Sequence, residues 1–416
     1  MDGVLSTDGQ VRISDRILRA IERNNDFYVV ETVVKISDVY NTVLSSLLLV
    51  VIFGGKTLKA AICREFRAPL RIEEIDLAAP NDGEVQVKIA ACAICHSDII
   101  FMDGGWGGVL PAIYGHEASG VVQSVGAGVH HVKPGDHVVV TLIRSCGECH
   151  YCAQGHQVMC NSTFPLDEKS PLKDAHGAPI THGLRTGAFA EYVTVEASQS
   201  VAIPKDVPLD AASLLACGVI TGLGAVWNTA QVPAGANVVI IGCGGVGLNA
   251  VQGAALCGAK TVIGMDLAPD KLTAALDFGA THTINAADSD AAAKVRDLTD
   301  GLGADFVFVT VGAKVAMEQS LSFLSKGGSA VIVGMPENGV MAEYDPGGLA
   351  DSCQKILGSK MGSARVRIDI PRLVGLYQQG RLKLDELITG RYPLEQINEA
   401  VASVRRGEAL RNVIVF

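Results

Sequence analysis

The stretch NVVIIGCGGVGLNAV (237–251) constrains the fold more than any other part of the sequence. Its apolar start predicts a buried strand, and the alanine-rich residues 246–258 predict a helix. A glycine cluster with G-x-G-x-x-G spacing lies at the junction, which is the strand–turn–helix context that dinucleotide binding requires. We therefore predict a phosphate site at the start of the helix. Its residues are Gly242, Gly244, Gly245, Val246 and Gly247.

The alternation of apolar runs and helical stretches continues to residue 334. It predicts strands at 261–266, 281–285, 305–311 and 329–334, and helices at 269–279, 290–300 and 315–325. Such alternation is typical of a parallel, doubly wound sheet. Residues 58 to about 200 instead contain β-branched runs bounded by Gly or Pro, which predict a compact β domain. Its predicted strands are 85–92, 119–125, 136–143 and 190–195.

Asp266 ends the second predicted strand of the parallel sheet, 22 residues after Gly244. A carboxylate here accepts hydrogen bonds from a ribose 2′-hydroxyl and repels a 2′-phosphate. No arginine follows directly, so the sequence favours NAD over NADP. Lys271 is a candidate contact for the adenosine ribose, although an exposed helical lysine needs no ligand.

Residues 146–160, CGECHYCAQGHQVMC, hold four cysteines in the spacing C-x2-C-x2-C-x7-C. Dense disulfides are typical of small secreted domains, whereas a chain of 416 residues with 48% hydrophobic content can bury a core without them. Thiolates at this spacing can surround one structural Zn²⁺, although the spacing alone leaves an iron–sulfur cluster open. The candidate ligands are Cys146, Cys149, Cys152 and Cys160.

Cys95, His116 and Cys217 are a second candidate metal set, formed by residues far apart in the sequence. Two thiolates and one imidazole leave a fourth position for water or substrate, as catalytic zinc requires. Taken singly, Cys217 is equally explained as a small buried apolar residue and His116 as a core histidine.

The net charge of −10 argues against a nucleic-acid partner. No stretch reaches the roughly 20 apolar residues that span a bilayer. Residues 43–55, VLSSLLLVVIFGG, are nearly all apolar but begin too late for a signal peptide. They fit a short buried element, a membrane-touching anchor or an extension outside the working enzyme, and we favour the extension.

From about Lys59 to Phe416 the chain resembles the zinc-dependent alcohol dehydrogenases of the medium-chain dehydrogenase/reductase superfamily. The resemblance implies an α/β fold with a GroES-like β-rich catalytic domain and a Rossmann domain, assembled as a homodimer or homotetramer. The implied domains are 58–218 with 361–416, and 219–360 for NAD, with 1–57 as an extension. The motifs that carry the resemblance are GHEASGVVQSVGAGV (115–129), KPGDHV (133–138), the four-cysteine run, ACGVITG (216–222), GCGGVG (242–247) and LRNVIVF (410–416).

The resemblance also implies two zinc ions per chain. Cys95, His116 and Cys217 would bind catalytic zinc, a ligand set typical of alcohol dehydrogenases, and the four clustered cysteines would bind structural zinc. Glu117 would approach the metal, and Asp98 would hydrogen-bond the zinc-bound histidine. The implied reaction is reversible hydride transfer from an alcohol to NAD⁺, with zinc lowering the pKa of the coordinated alcohol.

Three further positions match residues that contact the coenzyme in the family, namely His96, Thr221 and Arg411. Ser97 matches the hydroxyl that starts a proton relay. The relay of many relatives ends at a histidine where this chain has Ile100. Because isoleucine carries no proton, we expect the proton to leave from Ser97 through the ribose hydroxyls to water.

Trp106 and Leu142 match substrate-pocket positions, and both are apolar, although either is equally explained as core. Relatives that oxidise the glutathione adduct of formaldehyde have an arginine where this chain has Phe164, and Arg185 is a candidate substitute. We therefore expect a primary or aromatic alcohol, with the thiol adduct as the alternative.

All seven zinc ligands are present, which argues against a scaffold protein or a zinc-free quinone reductase of the same superfamily. The other cysteines are expected to be buried and reduced, as in the cytoplasm. They are Cys63, Cys92, Cys243, Cys257 and Cys353.

Overall fold

The computed structural model describes residues 56–416, so the apolar run 43–55 lies outside the described residues. Within that range the strands, numbered in chain order, are β1 Lys56–Cys63, β2 Arg71–Leu77, β3 Glu84–Ala93, β4 Ala112–Ile113, β5 Glu117–Val125, β6 His137–Val140, β7 Leu172–Asp174, β8 Thr181–His182, β9 Tyr192–Glu196, β10 Ser200–Ile203, β11 Asn237–Ile241, β12 Thr261–Asp266, β13 His282–Asn285, β14 Ala304–Val309, β15 Leu324–Ile332, β16 Lys355–Gly358, β17 Ile388–Pro393 and β18 Arg411–Val415.

The α-helices of the same range are mostly short, and a π-helical turn at Ala225–Thr229 continues the fifth of them. They are α1 His96–Met102, α2 His150–Ala153, α3 Pro165–Glu168, α4 Leu209–Ser213, α5 Gly218–Gly224, α6 Gly245–Leu256, α7 Pro269–Asp277, α8 Ala291–Asp297, α9 Lys314–Gln319, α10 Pro346–Asp351, α11 Val366–Gln378 and α12 Ile397–Arg405.

Two sheets form the β-rich part, a five-stranded sheet in the order β7-β2-β1-β4-β8 and a seven-stranded one built around β3. Alternate residues of β3 such as Val85, Val87 and Ile89 are buried, as a strand with one core-facing side requires. β3 pairs with β5 along its length and with the C-terminal β18 at its end, where Ala93 lies opposite both Glu117 and Val413. This register brings three distant parts of the chain to one corner.

The third sheet is parallel throughout, in the order β13-β12-β11-β14-β15-β16. The chain leaves β11 towards β12 and β13 and then crosses to β14 on the other side. The carboxyl ends of β11 and β14 therefore flank a topological switch point, where open α/β sheets bind ligands. The predicted α/β class with a doubly wound sheet is confirmed.

Some predicted elements differ from the structure. The helix predicted at 315–325 ends at Gln319, and a 3₁₀ turn at Ser320–Phe323 leads into β15. The strand predicted at 305–311 ends at Val309, and the Thr310 hydroxyl next to it donates to the carbonyls of Ile241 and Gly242.

The expected burial of the remaining cysteines is wrong at two positions. Cys353 is exposed, because it lies in a turn after α10 with a φ of 52°. Cys257 is only partly buried, at the end of α6.

One hydrophobic core runs from the seven-stranded sheet into the parallel sheet through the helices between residues 209 and 229. The predicted division of the chain at 218/219 and 360/361 therefore falls inside a continuous core, and its boundaries stay a prediction. Between residues 56 and 416 no single helix is long and apolar enough to cross a membrane. Leu209–Ala216 and Gly218–Thr229 meet that length and composition only as a pair, across a 51° bend.

Candidate active site and metal centres

Cys95, His116, Glu117 and Cys217 converge at the corner formed by β3, β5 and β18. One donor atom from each lies within 4.8 Å of the others, and all four residues are buried. Cys95 and His116 meet because Ala93 pairs with Glu117 across β3 and β5. Cys217 reaches them because its φ of −144° breaks the helical path just before α5. The structure thus brings the three predicted catalytic ligands together.

Asp98 organises this cluster from the first turn of α1. Its fully buried carboxylate accepts hydrogen bonds from the backbone of Cys95 (3.0 Å) and Gly115 (2.9 Å) and from His116 Nδ1 (2.9 Å). His116 Nδ1 therefore carries the proton, which leaves Nε2 as a free lone pair. That Nε2 is buried with no hydrogen-bond partner. An orphaned imidazole nitrogen beside two cysteine sulfurs fits Zn²⁺.

The two cysteine sulfurs of the cluster already differ in acidity. A hydrogen bond from Cys217 lowers the pKa of the Cys95 thiol well below its usual value, against the opposing effect of burial. The same interaction raises the pKa of the Cys217 thiol. One thiolate is thus favoured even between the protein groups alone, and thiolates are the form that binds metal.

Glu117 and Arg411 form an incomplete pair beside the cluster. Burial raises the pKa of Glu117 to about 8, while the charge of Arg411 opposes the shift. Arg411 Nη2 lies 3.4 Å from Glu117 Oε1, yet this nitrogen and both Glu117 oxygens have no hydrogen-bond partner. A buried carboxylate with free oxygens can approach a metal, and a buried guanidinium with a free donor can hold an anion.

The four-cysteine run forms a separate cluster in which all four sulfurs lie within 4.8 Å of one another. The backbone of Cys149 donates to Cys146 Sγ (3.2 Å), and that of Cys146 donates to Cys160 Sγ (3.4 Å). Hydrogen bonds from Ser162 and from backbone amides lower the pKa of Cys146 to about 6. Four thiols with no fifth position left for substrate fit a closed structural zinc site.

The glycine cluster after β11 has the shape that a dinucleotide needs. Gly242 has a φ of 94°, and a Cβ on Gly247 would lie 1.7 Å from the Gly242 carbonyl oxygen, so neither position admits a side chain. A Cβ on Gly244 would meet nothing within 4 Å, which leaves room for a phosphate. The amides at the start of α6, including that of Val246, open onto this space.

Arg411 connects the glycine cluster with the metal centre. A Cβ on Gly245 would lie 2.7 Å from Arg411 Cζ, and one on Gly218 would lie 2.3 Å from Arg411 Nη2. The guanidinium therefore lies against the start of α6 on one side and beside Glu117 on the other. One side chain thus borders both predicted ligand sites.

The carboxylate of Asp266 is held at the end of β12. Oδ2 accepts a hydrogen bond from the Cys243 amide (2.8 Å), and Oδ1 accepts one from Ala268 (3.0 Å). Lys271 lies in the first turn of α7, and burial, with the charges of Arg411 and Lys271 assisting, lowers the pKa of His96. The bond from the Cys243 amide therefore joins the predicted ribose contact to the glycine cluster.

The comparisons with known proteins agree with this geometry. Residues 81–205 match the alcohol dehydrogenase GroES-like domain, and residues 245–379 match the zinc-binding dehydrogenase domain. The chain is 40% identical over 365 residues to the NDMA-dependent alcohol dehydrogenase of Amycolatopsis methanolica, covering 86% of this chain and 98% of that protein. The chain belongs to the zinc-dependent alcohol dehydrogenase family. This dehydrogenase is therefore an oxidoreductase.

Other relatives of this dehydrogenase have different names. It is 37% identical over 376 residues to the S-(hydroxymethyl)glutathione dehydrogenase of Saccharomyces cerevisiae, covering 86% of this chain and 97% of that protein. It superposes on the solved benzyl alcohol dehydrogenase of Acinetobacter calcoaceticus with a TM-score of 0.81 at 32% identity, covering 87% of this chain and 99% of that one. These relatives share the family and differ in the substrates that their names give.

Trp106 and Leu142 occupy different settings in this dehydrogenase. The indole of Trp106 donates from Nε1 to the Pro336 carbonyl (2.8 Å) and contacts Phe101 edge to face. Leu142 is partly buried against the main core. Their part in a substrate pocket stays a prediction.

Phe164 and Arg185 are clearly distinguished by burial. Phe164 is buried, with the guanidinium of Arg144 6.0 Å from its ring centre. Arg185 is about half exposed and lies 3.7 Å from Asp167, on a cleft of about 440 Å³ that none of the metal-site residues lines. Arg185 is therefore accessible to an anion, as its candidate role requires.

Sequence reasoning missed Met361. Its thioether sulfur lies 3.7 Å from both Cys217 Sγ and Thr221 Oγ1, and Thr221 is itself buried beside the metal cluster. The turn Met361–Ser363 has positive φ at all three positions, although Met361 and Ser363 are not glycines. Only Gly362 signals a turn in the sequence, so nothing there indicated this contact.

Proposed function

We propose that this dehydrogenase transfers hydride from a primary or aromatic alcohol to NAD⁺, reversibly, giving an aldehyde and NADH. The observation that carries the proposal is the position of Arg411. It borders the Cys95–His116–Cys217 cluster through Glu117 and the glycine cluster through Gly245. A nicotinamide coenzyme bound at α6 would therefore extend towards the metal centre.

The metal-site residues would have separate roles in this reaction. When bound by Cys95, His116 and Cys217, Zn²⁺ supplies a Lewis acid that lowers the pKa of a coordinated alcohol. Asp98 fixes the proton on His116 Nδ1 and so keeps Nε2 facing the cluster. A second zinc in the four-cysteine cluster would order the loop around it.

The proton of the alcohol needs a route out of the buried site. We assign its first acceptor to the hydroxyl of Ser97, in the first turn of α1 beside Cys95. Ile100, which replaces the histidine of many relatives, cannot carry it further. The ribose hydroxyls of a bound coenzyme would supply the next groups between Ser97 and water.

Asp266 supports NAD as the coenzyme rather than NADP. Its carboxylate is fixed by two backbone amides at the end of β12. In this orientation it would accept from a ribose 2′-hydroxyl and repel a 2′-phosphate. Arg411 Nη2 has a free donor for the pyrophosphate.

The apolar side chain of Leu142 supports a primary or aromatic alcohol, and the structural similarity to a benzyl alcohol dehydrogenase supports it further. The alternative substrate is the glutathione adduct of formaldehyde. The accessible guanidinium of Arg185 and the similarity to S-(hydroxymethyl)glutathione dehydrogenases favour this alternative.

The proposal includes assembly as a homodimer or homotetramer and a cytoplasmic location, with no nucleic-acid or membrane partner. The acidic net charge of −10 supports the absence of a nucleic-acid partner, and the free cysteines of the described range support a reducing compartment.

The test is NADH formation by the purified chain on a panel of substrates. Primary, aromatic and secondary alcohols are compared with formaldehyde, with and without glutathione, and each is run with NAD⁺ and with NDMA as oxidant. Turnover of free alcohols with NAD⁺ supports the proposal. Turnover of formaldehyde only with glutathione favours the alternative, and strict dependence on NDMA would show that free NAD⁺ is not the final acceptor.

A further inference from the structure

Three aromatic side chains form a stack beside the metal centre. Tyr114, two residues before His116, stacks on Phe101 with ring centres 5.9 Å apart and an interplanar angle of 26°. Phe101 lies in α1, the helix that Cys95 begins, and meets Trp106 edge to face at 5.3 Å and 82°. The stack therefore contacts both chain segments that supply the first two metal ligands.

Trp106, the last ring of this stack, contacts residues 335–338, which follow β15 in the parallel sheet. Its Nε1 donates to the Pro336 carbonyl (2.8 Å), and the Asn338 amide donates to the Gly105 carbonyl (3.2 Å). A Cβ on Gly105 would lie 2.9 Å from Glu337 Cγ. The 104–107 loop and the 335–338 loop are thus joined by two hydrogen bonds and close packing.

The 335–338 loop in turn packs against residues 310–312, which contact the glycine turn at Gly242. A Cβ on Gly312 would lie 2.6 Å from the Met335 carbonyl oxygen, and Gly312 follows Thr310, whose hydroxyl donates to the Gly242 carbonyl. On the other side, Arg405 of α12 holds Asp103 through two hydrogen bonds of 2.6 and 2.7 Å. The 104–107 loop is therefore anchored at its start and fastened to the coenzyme side at its tip.

We propose that Trp106 is a positioning residue, which sets the alignment of the metal centre with the coenzyme through the aromatic stack and the bond to Pro336. The proposal rests on the proposed function in that NAD⁺ binds at the Gly242 turn. Hydride transfer requires the reacting atoms within roughly 3–3.5 Å, so a small drift between the two loops slows chemistry more than binding.

Trp106→Phe tests the bond itself, because it keeps an aromatic ring against Phe101 and removes the N–H donor. Loss of one hydrogen bond is expected to lower kcat by about 3- to 10-fold and to leave the KM for NAD⁺ within about twofold. The deuterium isotope effect on kcat with a dideuterated primary alcohol should rise towards its intrinsic value. Trp227→Phe is the matched control, since its Nε1 donates to the Gly253 carbonyl inside the coenzyme-binding part.

Gly105→Ala tests the same contact without changing the indole. The added Cβ would lie 2.9 Å from both Glu337 Cγ and Ile100 Cγ2, so these side chains must move and the packing between the two loops is disturbed. We expect the same fall in kcat as in Trp106→Phe. If only Trp106→Phe changes, and it changes the alcohol KM, Trp106 is a pocket residue and the positioning proposal is wrong.

A fluorescence measurement separates this proposal from the proposed function. The chain has two tryptophans, so the Trp227→Phe variant reports Trp106 alone. Adding Gly105→Ala to that variant should raise the acrylamide quenching of Trp106 by at least about twofold, because the indole becomes more exposed to solvent. Unchanged quenching, or equal kcat and isotope effect in Trp106→Phe and Trp227→Phe, overturns the proposal. Absence of alcohol turnover in the unmodified chain with the quenching result intact would contradict the proposed function instead.

Discussion

Asp98→Asn is expected to release the catalytic metal while leaving the fold in place. The Asp98 carboxylate is fully buried and accepts three hydrogen bonds, two at Oδ1 from Gly115 and His116 and one at Oδ2 from Cys95. An asparagine has only one acceptor oxygen. In its best orientation the oxygen keeps the two bonds at Oδ1, and the amide nitrogen then faces the Cys95 N–H, donor against donor.

The size of the effect follows from these contacts. Loss of a charged acceptor for one buried donor costs about 1–3 kcal/mol. Replacing a group that orients a metal-bound histidine weakens metal binding by about 10- to 100-fold, which corresponds to about 1.4–2.8 kcal/mol. The two estimates describe different consequences of one substitution, a cost to stability and a loss of metal affinity, because one carboxylate holds both the Cys95 amide and His116.

The assay is elemental analysis of zinc after dialysis against graded chelator concentrations. Unmodified protein should hold two zinc ions per chain over a wide range, and Asp98→Asn should lose one of them at a roughly 10- to 100-fold lower chelator concentration. Asp136→Asn is the control, since Asp136 accepts a single backbone bond, from Lys133, in an exposed turn. Equal zinc retention in Asp98→Asn and the unmodified chain would refute the role of Asp98.

Three further variants test separate parts of the account. Asp266→Asn should weaken NAD⁺ binding by about 12- to 150-fold in calorimetric titration, because a hydrogen bond to a charged group is lost. Asp270→Asn should leave the affinity unchanged, and equal affinities of the two variants would contradict the ribose contact. Burial, together with the charge of Arg144, lowers the pKa of His182 to about 3, so only the unfolded chain takes up this proton below about pH 6.5. Stability is therefore lost as pH falls. Between pH 7 and 5 the free energy of unfolding, measured in urea, should drop about 2 kcal/mol more in the unmodified chain than in His182→Gln, and an equal drop in both would contradict this. Ile100→His should leave the pH–rate profile unchanged, and a faster variant at mildly acidic pH would show that the Ser97 route limits the rate.

The parallel sheet was predictable because its signals are local. β12 matches the predicted 261–266 strand, since an apolar run followed by a turn and a helix has a short-range pattern. The helix predicted at 315–325 was wrong because its second half, Ser320–Phe323 and the start of β15, contains equally apolar residues in a different backbone path. Periodicity alone cannot tell such a short helix from the strand that follows it.

In the candidate site too, the contacts between residues close in the sequence were predictable. Cys95, His116 and Asp98 lie within 22 residues, and their types already indicate metal chemistry. Met361 meets Cys217 across 144 residues, and Trp106 meets Pro336 across 230. Neither pair has a spacing or a residue type that marks it, so such contacts become visible only when the chain is folded.

The most direct test of the central claim is transfer of deuterium from a dideuterated benzyl alcohol to the coenzyme. The purified chain is incubated with the labelled alcohol and NAD⁺, and the reduced coenzyme is analysed by mass spectrometry. Direct hydride transfer predicts one deuterium per NADH formed, together with the monodeuterated aldehyde. Aldehyde formation with no deuterium in the coenzyme would contradict direct hydride transfer between the metal centre and the glycine cluster.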